Sequence, residues 1–147
     1  MHYINPLKRE IEQMLNDDII EGPINIEEPR TFLSDLVIAD KKDKRAIRVT
    51  LDCQAVNNEI HHTHEPIPTV EELRHKFKIS EVFSLDMTNY YHQFEIEESA
   101  RKLYASRTPW GIYRYKRMVQ GTSPASSEIQ KRIRETFKNC PILMLSA

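Results

Sequence analysis

Residues 82–94 read VFSLDMTNYYHQF and place a single carboxylate, Asp86, inside an apolar run of β-forming residues. Burial disfavours the charged form of an unpaired carboxylate, so this placement is costly unless something compensates for it. Asp86 can lie at the strand end in water, pair with a buried cation, or bind a divalent metal ion together with other acidic groups. These residues alone leave all three arrangements open.

From residue 81 onward, the sequence predicts a series of strands and then a helix. Residues 81–87 are predicted to form a strand with the carboxylate on its polar face, and YHQFEIEE at residues 91–98 predicts a second strand because apolar and polar residues alternate. KLYASRTPWGIYRYKRM at residues 102–118 predicts two strands joined by a PWG turn. SPASSEIQKRIRETFKN at residues 123–139 predicts a helix with Ser123 as its cap.

The chain before this stretch contains two predicted helices. Residues 5–22 predict the first helix, with Asn5 as its cap, Pro6 at its first position and Gly22 at its end. The segment TVEELRHKF, which follows Pro68, opens with a capping box and predicts a shorter amphipathic helix.

A β-hairpin is predicted over residues 32–52, where FLSDLVIA and AIRVTLD flank the polar turn DKKDKR. Side chains alternate along the return strand, so Ile47, Val49 and Leu51 share one face and Arg48 lies on the other. The cationic turn beside Arg48 forms either a local positive concavity or a solvated hairpin tip. The whole order of elements predicts an α+β fold, with helices packed on one face of an antiparallel sheet.

Composition narrows the class of protein. The 147 residues are 39% hydrophobic and 29% charged, which is ordinary for a soluble domain, and the net charge of -1 argues against a surface that binds nucleic acid everywhere. No apolar run approaches the roughly 20 residues that cross a bilayer. Residues 1–10 lack the apolar region of a signal peptide, so we expect no membrane association and an intracellular, cytoplasmic or nuclear location. Three glycines exclude a glycine-rich phosphate loop.

Two sets of potential metal ligands lack the spacing of a zinc site. His61, His62 and His64 are not separated as ligands on a helix would be, and no cysteine lies near them. Cys53 and Cys140 also lack metal-type spacing and are interpreted as buried, reduced thiols.

Four segments resemble reverse transcriptases of the gypsy-type LTR retrotransposons. The stretch FSLDMTNYYHQF resembles motif A of that family, and LVIADKKDKRAIRVTLDCQAVNNEI resembles its fingers hairpin. EPIPTVEEL and TPWGIYRYKRMVQGTSPASSEIQKRI resemble two further blocks, in the same order and nearly the same spacing. The resemblance covers residues 5–139 and implies a fingers-like region over residues 1–80 and part of a palm over residues 81–147.

The family pattern implies roles for six residues. Asp86 matches the first metal-binding aspartate, Met87 would offer its backbone carbonyl to the same ion, and Tyr91 matches the aromatic gate that favours dNTP over rNTP. The positions that hold the incoming nucleotide are Lys41, Arg48 and Gln120. The implied reaction is dNTP addition to the 3′-hydroxyl of an RNA or DNA template-primer, with Mg²⁺ or Mn²⁺.

The chain departs from the family pattern at several positions. Tyr90 replaces the glycine before the gate and is expected to crowd the nucleotide site, and Ser126 replaces a proline. The family carries a paired aspartate after the last helix, whereas no acidic residue follows Glu135 here. Because two cations need more than one carboxylate, we expect weak or absent metal binding and no polymerisation by these 147 residues alone.

Three functions remain open on this basis. One is an RNA-directed DNA polymerase module completed by carboxylates from elsewhere. Another is a domesticated fragment without catalysis that binds nucleic acid through phosphate contacts from Lys42, Lys44, Arg45, Arg114, Lys116 and Arg117. A third is a protein-interaction module, since an exposed sheet edge and the apolar tail ILML would favour a homodimer or a partner chain.

Overall fold

The computed structural model describes residues 3–25, 31–41, 46–60, 71, 86–123 and 125–138. Helices are α1 (Ile4–Asn16), α2 (Gln54–Glu59), α3 (Glu98–Arg101) and α4 (Ala125–Thr136), with a 3₁₀ turn at Tyr90–Gln93. Strands are β1 (Ile20–Ile24), β2 (Leu33–Ser34), β3 (Leu36–Asp40), β4 (Ile47–Leu51), β5 (Ala105–Thr108) and β6 (Gly111–Tyr115). The helix predicted after Pro68, most of the strand predicted over residues 81–87 and the apolar tail lie outside the described residues.

Four strands form the larger sheet, in the order β1-β6-β5-β2. β6 pairs antiparallel with both β1 and β5, whereas the short β2 pairs parallel with β5. The turn between β5 and β6 is the predicted PWG turn, closed by the Thr108 hydroxyl, which donates to the carbonyl of Gly111 at 2.9 Å. The α+β class is confirmed, and the sheet is antiparallel apart from the short pairing of β2.

β3 and β4 form a separate antiparallel hairpin, with Ile38 opposite Val49 and Ala39 opposite Arg48. Ile47, Val49 and Leu51 are buried and Arg48 is exposed, as the alternation of apolar residues predicts. The buried face of β4 packs on α1, whose buried residues recur with helical spacing. This packing turns the polar face of β4 away from the core.

The first helix ends earlier than its apolar periodicity predicts. It ends at Asn16 rather than Gly22, and Tyr3 rather than Asn5 is its cap, without a side-chain capping bond. Asp18 adopts a left-handed conformation (φ 56°), which turns the chain into β1. Gly22 therefore lies in a strand (φ 143°), where a Cβ atom would meet the carbonyl of Ile112 at 2.8 Å. Pairing with β6 replaces the last turn of the predicted helix.

The prediction of a strand over residues 91–98 is wrong. Asn89 is in the left-handed conformation (φ 50°), and residues Tyr90–Gln93 form a 3₁₀ turn. The side-chain amide of Gln93 donates to the carbonyl of Thr88 at 2.8 Å and ties this turn to the chain before it. The only extended pairing of this segment within the described residues is a bridge between Glu95 and Arg117. These local hydrogen bonds compete successfully with an extended backbone.

One hydrophobic core joins α1, β1, β4, α2 and β6. Helix α4 is anchored by Ala125 and Ile129, which are almost completely buried, and by Ile133. In the part of the chain that the structure describes, no helix is both long and apolar enough to cross a membrane.

Candidate functional site

A cleft of about 700 Å³ opens between α1, β4, residues 86–92 and the chain that follows β6. Its walls carry both signs of charge and several aromatic rings. Its lining residues are Glu10, Gln13, Met14, Asp17, Ile19, Lys41, Arg48, Val49, Thr50, Asp86, Met87, Asn89, Tyr90, Tyr91, His92, Tyr115, Val119 and Gln120.

This cleft brings together the six residues to which the family pattern assigns roles in nucleotide and metal binding. They are Lys41, Arg48, Asp86, Met87, Tyr91 and Gln120. Lys41 and Arg48 lie at the same end of the hairpin because Ala39 pairs with Arg48 and Asp40 with Ile47. The burial of alternate β4 side chains in the core directs Arg48 to the opposite, exposed face.

Asp86 is an exposed carboxylate on the wall of the cleft, next to the half-buried Met87. Among the described residues Asp86 has no ion-pair or hydrogen-bond partner. Carboxylate and backbone carbonyl oxygens are the ligands that Mg²⁺ prefers. Within the same part of the chain no three histidine, cysteine, aspartate or glutamate side chains cluster closely enough to hold a metal ion. The predicted exclusion of zinc at His61, His62 and His64 falls outside the described residues.

Helix α1 contributes a polar wall that sequence reasoning missed. Glu10 and Gln13, on one face of the helix, and Asp17, directly after its last residue, line the cleft, and the Glu10 carboxylate forms an ion pair with Lys41 at 3.8 Å. The signal was present in their spacing, because positions separated by three and seven residues share a helix face. The wall adds negative charge directly beside the two cations of the hairpin.

Three aromatic rings meet at the base of the segment that carries Asp86. The Tyr90 and Tyr91 rings pack edge-on with centroids 5.5 Å apart, and Tyr90 also packs edge-on against Phe94 at 6.2 Å. The Tyr91 hydroxyl shares a hydrogen bond with the hydroxyl of Ser126 at 3.5 Å. The Tyr90 hydroxyl is buried without a partner among the described residues, and burial raises its pKa.

The floor of the cleft is apolar and contains a second buried phenol. Tyr115 is 3% exposed, its hydroxyl has no partner within the described residues, and burial raises its pKa. Burial also lowers the pKa of His92 below its ordinary value of 6.5. His92 is therefore neutral at physiological pH, and the positive charges that the described residues bring to the cleft are those of Lys41 and Arg48.

The second cationic segment begins in β6, next to the cleft-lining Tyr115, and is held in ion pairs. Arg114 pairs with Glu21, and Lys116 pairs with Asp18. Arg117 lies 3.2 Å from Glu95 and 3.4 Å from Asp18. A hydrogen bond from Lys116 lowers the pKa of the Asp18 carboxyl. The phosphate contacts predicted for Arg114, Lys116 and Arg117 stay a prediction, and Lys42, Lys44 and Arg45 lie outside the described residues.

Comparison with known proteins relates the chain to retrotransposon polyproteins. No family model matches it. It is 34% identical over 98 residues to an uncharacterized protein of Caenorhabditis elegans, which covers 65% of this chain and 8% of the relative. It is 23% identical over 140 residues to the retrovirus-related Pol polyprotein from transposon 412 of Drosophila melanogaster, covering 91% of this chain and 11% of the relative. The transposon Tf2-3 polyprotein of Schizosaccharomyces pombe is 27% identical over 121 residues, which covers 80% of this chain and 9% of that relative.

Solved structures share the fold. A foamy virus protease-reverse transcriptase superposes with a TM-score of 0.74 at 19% identity, covering 95% of this chain and 18% of that chain. A foamy viral protease-reverse transcriptase in complex with an RNA/DNA hybrid gives a TM-score of 0.73 at 14% identity. The match covers 99% of this chain and 19% of that chain. The chain thus spans about a tenth of the length of these curated relatives, is related to retroelement Pol polyproteins, and shares its fold with part of a foamy virus protease-reverse transcriptase.

Proposed function

We propose that the chain is the fingers region, residues 1–80, and part of the palm, residues 81–147, of a gypsy-type RNA-directed DNA polymerase, and that the cleft binds the incoming dNTP. The observation that carries this proposal is the meeting of three distant segments in one cleft. Lys41 and Arg48 come from the hairpin, Asp86 from the central stretch and Gln120 from the chain after β6. A structural hairpin tip would not require these groups to face one cavity.

The charges of the cleft suit a triphosphate. Arg48 presents a planar guanidinium that binds two phosphate oxygens at once, and Lys41 supplies a mobile point charge. Both side chains are exposed, so phosphate binding does not require a buried ion pair to be broken. Tyr91 would lie below the sugar as the gate, and Gln120 near the 3′-hydroxyl.

A divalent ion fits one part of this cleft. Asp86 and the carbonyl of Met87 would hold an Mg²⁺ or Mn²⁺ ion, which supplies charge neutralisation to the phosphates when it is bound. Transfer to a primer needs a second ion and further carboxylates, and the described residues hold no suitable cluster. We therefore propose that this chain binds nucleotide and that primer extension requires acidic groups beyond Asp86.

Nucleic acid is the proposed macromolecular partner. Structures that share this fold are complexes of foamy viral protease-reverse transcriptase with dsDNA and with an RNA/DNA hybrid. A template-primer would reach the same cleft, because the attacking 3′-hydroxyl must lie beside the bound nucleotide. Nucleic-acid binding through Arg114, Lys116 and Arg117 without catalysis has weaker support, because these cations are already paired.

Calorimetric titration of the full chain with Mg·dATP tests the proposal. Arg48→Ala is expected to weaken binding about tenfold or more, the equivalent of one charge-assisted hydrogen bond. Arg107→Ala is the matched control, because Arg107 is also an exposed strand arginine but does not line the cleft. Asp86→Asn should remove the dependence of binding on Mg²⁺.

Equal effects of the two arginine substitutions, or no binding by the unmodified chain, would refute the nucleotide site. Primer extension by the chain alone is expected to give no incorporation. Incorporation would show that the catalytic carboxylates are already complete. Binding of an RNA/DNA hybrid without any binding of dATP would support the non-catalytic alternative.

A further inference from the structure

Tyr90, which lines the cleft, and Ser126, which lies at the start of α4, both depart from the family pattern, and both contact Tyr91. We propose that Tyr90 and Ser126 are positioning residues that hold the Tyr91 gate in one orientation and so sharpen the selection of deoxyribose over ribose. This inference rests on the proposed function, since it concerns how the gate of the nucleotide site is held.

Tyr90 supports the gate through its ring. Its edge-on contacts with Tyr91 (78° between planes) and Phe94 (83°) are the arrangement that aromatic quadrupoles favour. The Tyr90 hydroxyl is inaccessible to solvent and has no partner within the described residues. The ring contacts, and not a hydrogen bond from this hydroxyl, are therefore what Tyr90 supplies in place of a glycine.

The backbone beneath the three rings is tied at both ends. Asn89 makes the left-handed turn that begins the 3₁₀ segment, and the side chain of Gln93 closes it onto Thr88. The amide of Phe94 donates to the carbonyl of Tyr91 at 3.2 Å, and the amide of Met118 donates to the carbonyl of Phe94 at 2.8 Å. The ring cluster consequently rests on a turn that is fixed to the chain after β6.

Ser126 supports the gate from the opposite side. It lies in the first turn of α4, next to Ala125, which is 1% exposed, and one turn before Ile129, which is fully buried. This anchoring fixes the backbone of Ser126, and its hydroxyl lies 3.5 Å from the Tyr91 hydroxyl. A proline at this position would offer no hydroxyl, so the contact depends on the serine.

A gate held from two sides discriminates better than a freely rotating one. A ring that can change rotamer moves aside for a 2′-hydroxyl, whereas a fixed ring keeps the steric conflict. The Tyr90 ring acts through Tyr91, and its removal should change sugar selection more than overall affinity for deoxynucleotide.

The test compares dissociation constants for Mg·ATP and Mg·dATP in the full chain and in variants. The ratio of the Mg·ATP constant to the Mg·dATP constant measures the preference for deoxyribose. Tyr90→Ala is expected to lower this ratio about two- to tenfold, the effect of losing one edge-to-face ring pair. Ser126→Ala should lower the ratio about twofold. Tyr90→Phe keeps the ring and should keep the ratio. Ser127→Ala is the matched control, because it removes the neighbouring hydroxyl of the same helix while the contact between Ser126 and Tyr91 stays in place.

A second readout does not depend on nucleotide. Three-bond couplings report the χ1 rotamer populations of Tyr91, which should be confined to one rotamer in the unmodified chain and averaged in Tyr90→Ala. An unchanged ratio with unchanged rotamers in both Tyr90→Ala and Ser126→Ala would overturn the inference. Averaging of Tyr91 without any nucleotide binding would reject the proposed function and, with it, the selective role, while showing that the ring support is structural.

Discussion

Glu10→Gln is expected to increase the affinity of the cleft for Mg·dATP. Glu10 and Lys41 form an ion pair at 3.8 Å, and both side chains are partly exposed, at 30% and 45%. Their gross attraction at that distance is about 1 kcal/mol in bulk water and about 4 kcal/mol at an effective dielectric constant of 20. Solvent screening and side-chain entropy reduce the net value of such a pair to about 0.2–1 kcal/mol.

A triphosphate that binds Lys41 must break the ion pair between Glu10 and Lys41. Because Glu10→Gln removes this pair in advance, it makes triphosphate binding more favourable by the same free energy. The expected gain in affinity is about 1.4-fold to fivefold. Loss of the negative charge of Glu10 beside the phosphates acts in the same direction. The measurement is a calorimetric titration with Mg·dATP at low ionic strength, where exposed pairs are least screened.

Glu12→Gln is the matched control for this prediction. Glu12 lies on the same helix and pairs with Lys8 at 3.9 Å, but it does not line the cleft. It makes the same change in net charge without freeing Lys41. A gain of equal size in both variants would show a general charge effect, and weaker binding by Glu10→Gln would show that the carboxylate assists the ligand. Either result would refute the competition between Glu10 and phosphate.

Three further predictions concern stability. Ile129→Ala should lower the free energy of unfolding by about 2–5 kcal/mol in urea titrations, because the side chain is fully buried; a loss below that range would mean that α4 is not anchored there. Tyr115→Phe should leave stability unchanged or raise it by up to about 1 kcal/mol, because it removes a buried hydroxyl without a partner in the described residues; a clear loss in the same titration would reveal a missed hydrogen bond. The folded chain holds the pKa of His92 below 6.5, so the unfolded chain binds its proton more readily and stability should fall as the pH drops through 6.5. Chemical denaturation between pH 8 and about 5 should show that His92→Asn loses less stability on acidification than the unmodified chain does. An identical pH profile in the variant would contradict the lowered pKa of His92.

Strand β4 shows what the sequence could predict by itself. The side-chain period of two is local, so the burial of Ile47, Val49 and Leu51 and the exposure of Arg48 follow from the residues alone. The hairpin at the PWG turn is equally local. The assembly of the cleft from three distant segments has no local signal, and only the resemblance to a family connected Lys41, Asp86 and Gln120. Their shared cavity is observed, and their roles stay predictions.

Tertiary pairing explains most of what the sequence did not predict. The end of α1 moved to Asn16 because residues Ile20–Ile24 pair with β6, and periodicity cannot weigh that alternative. Local hydrogen bonds turned the expected strand over residues 91–98 into a 3₁₀ segment and the start of α3. The basic residues after β6 looked free in sequence because their partner, Asp18, lies almost a hundred positions away.

The most direct test of the nucleotide site is where Mg·dATP perturbs the amide resonances of the full chain. Shifts are expected in the three segments that line the large cleft, around Arg48, Asp86 and Gln120. Shifts centred instead on the smaller pocket of about 240 Å³ beside Glu97 and Glu128, or no shifts at all, would contradict the proposed nucleotide site.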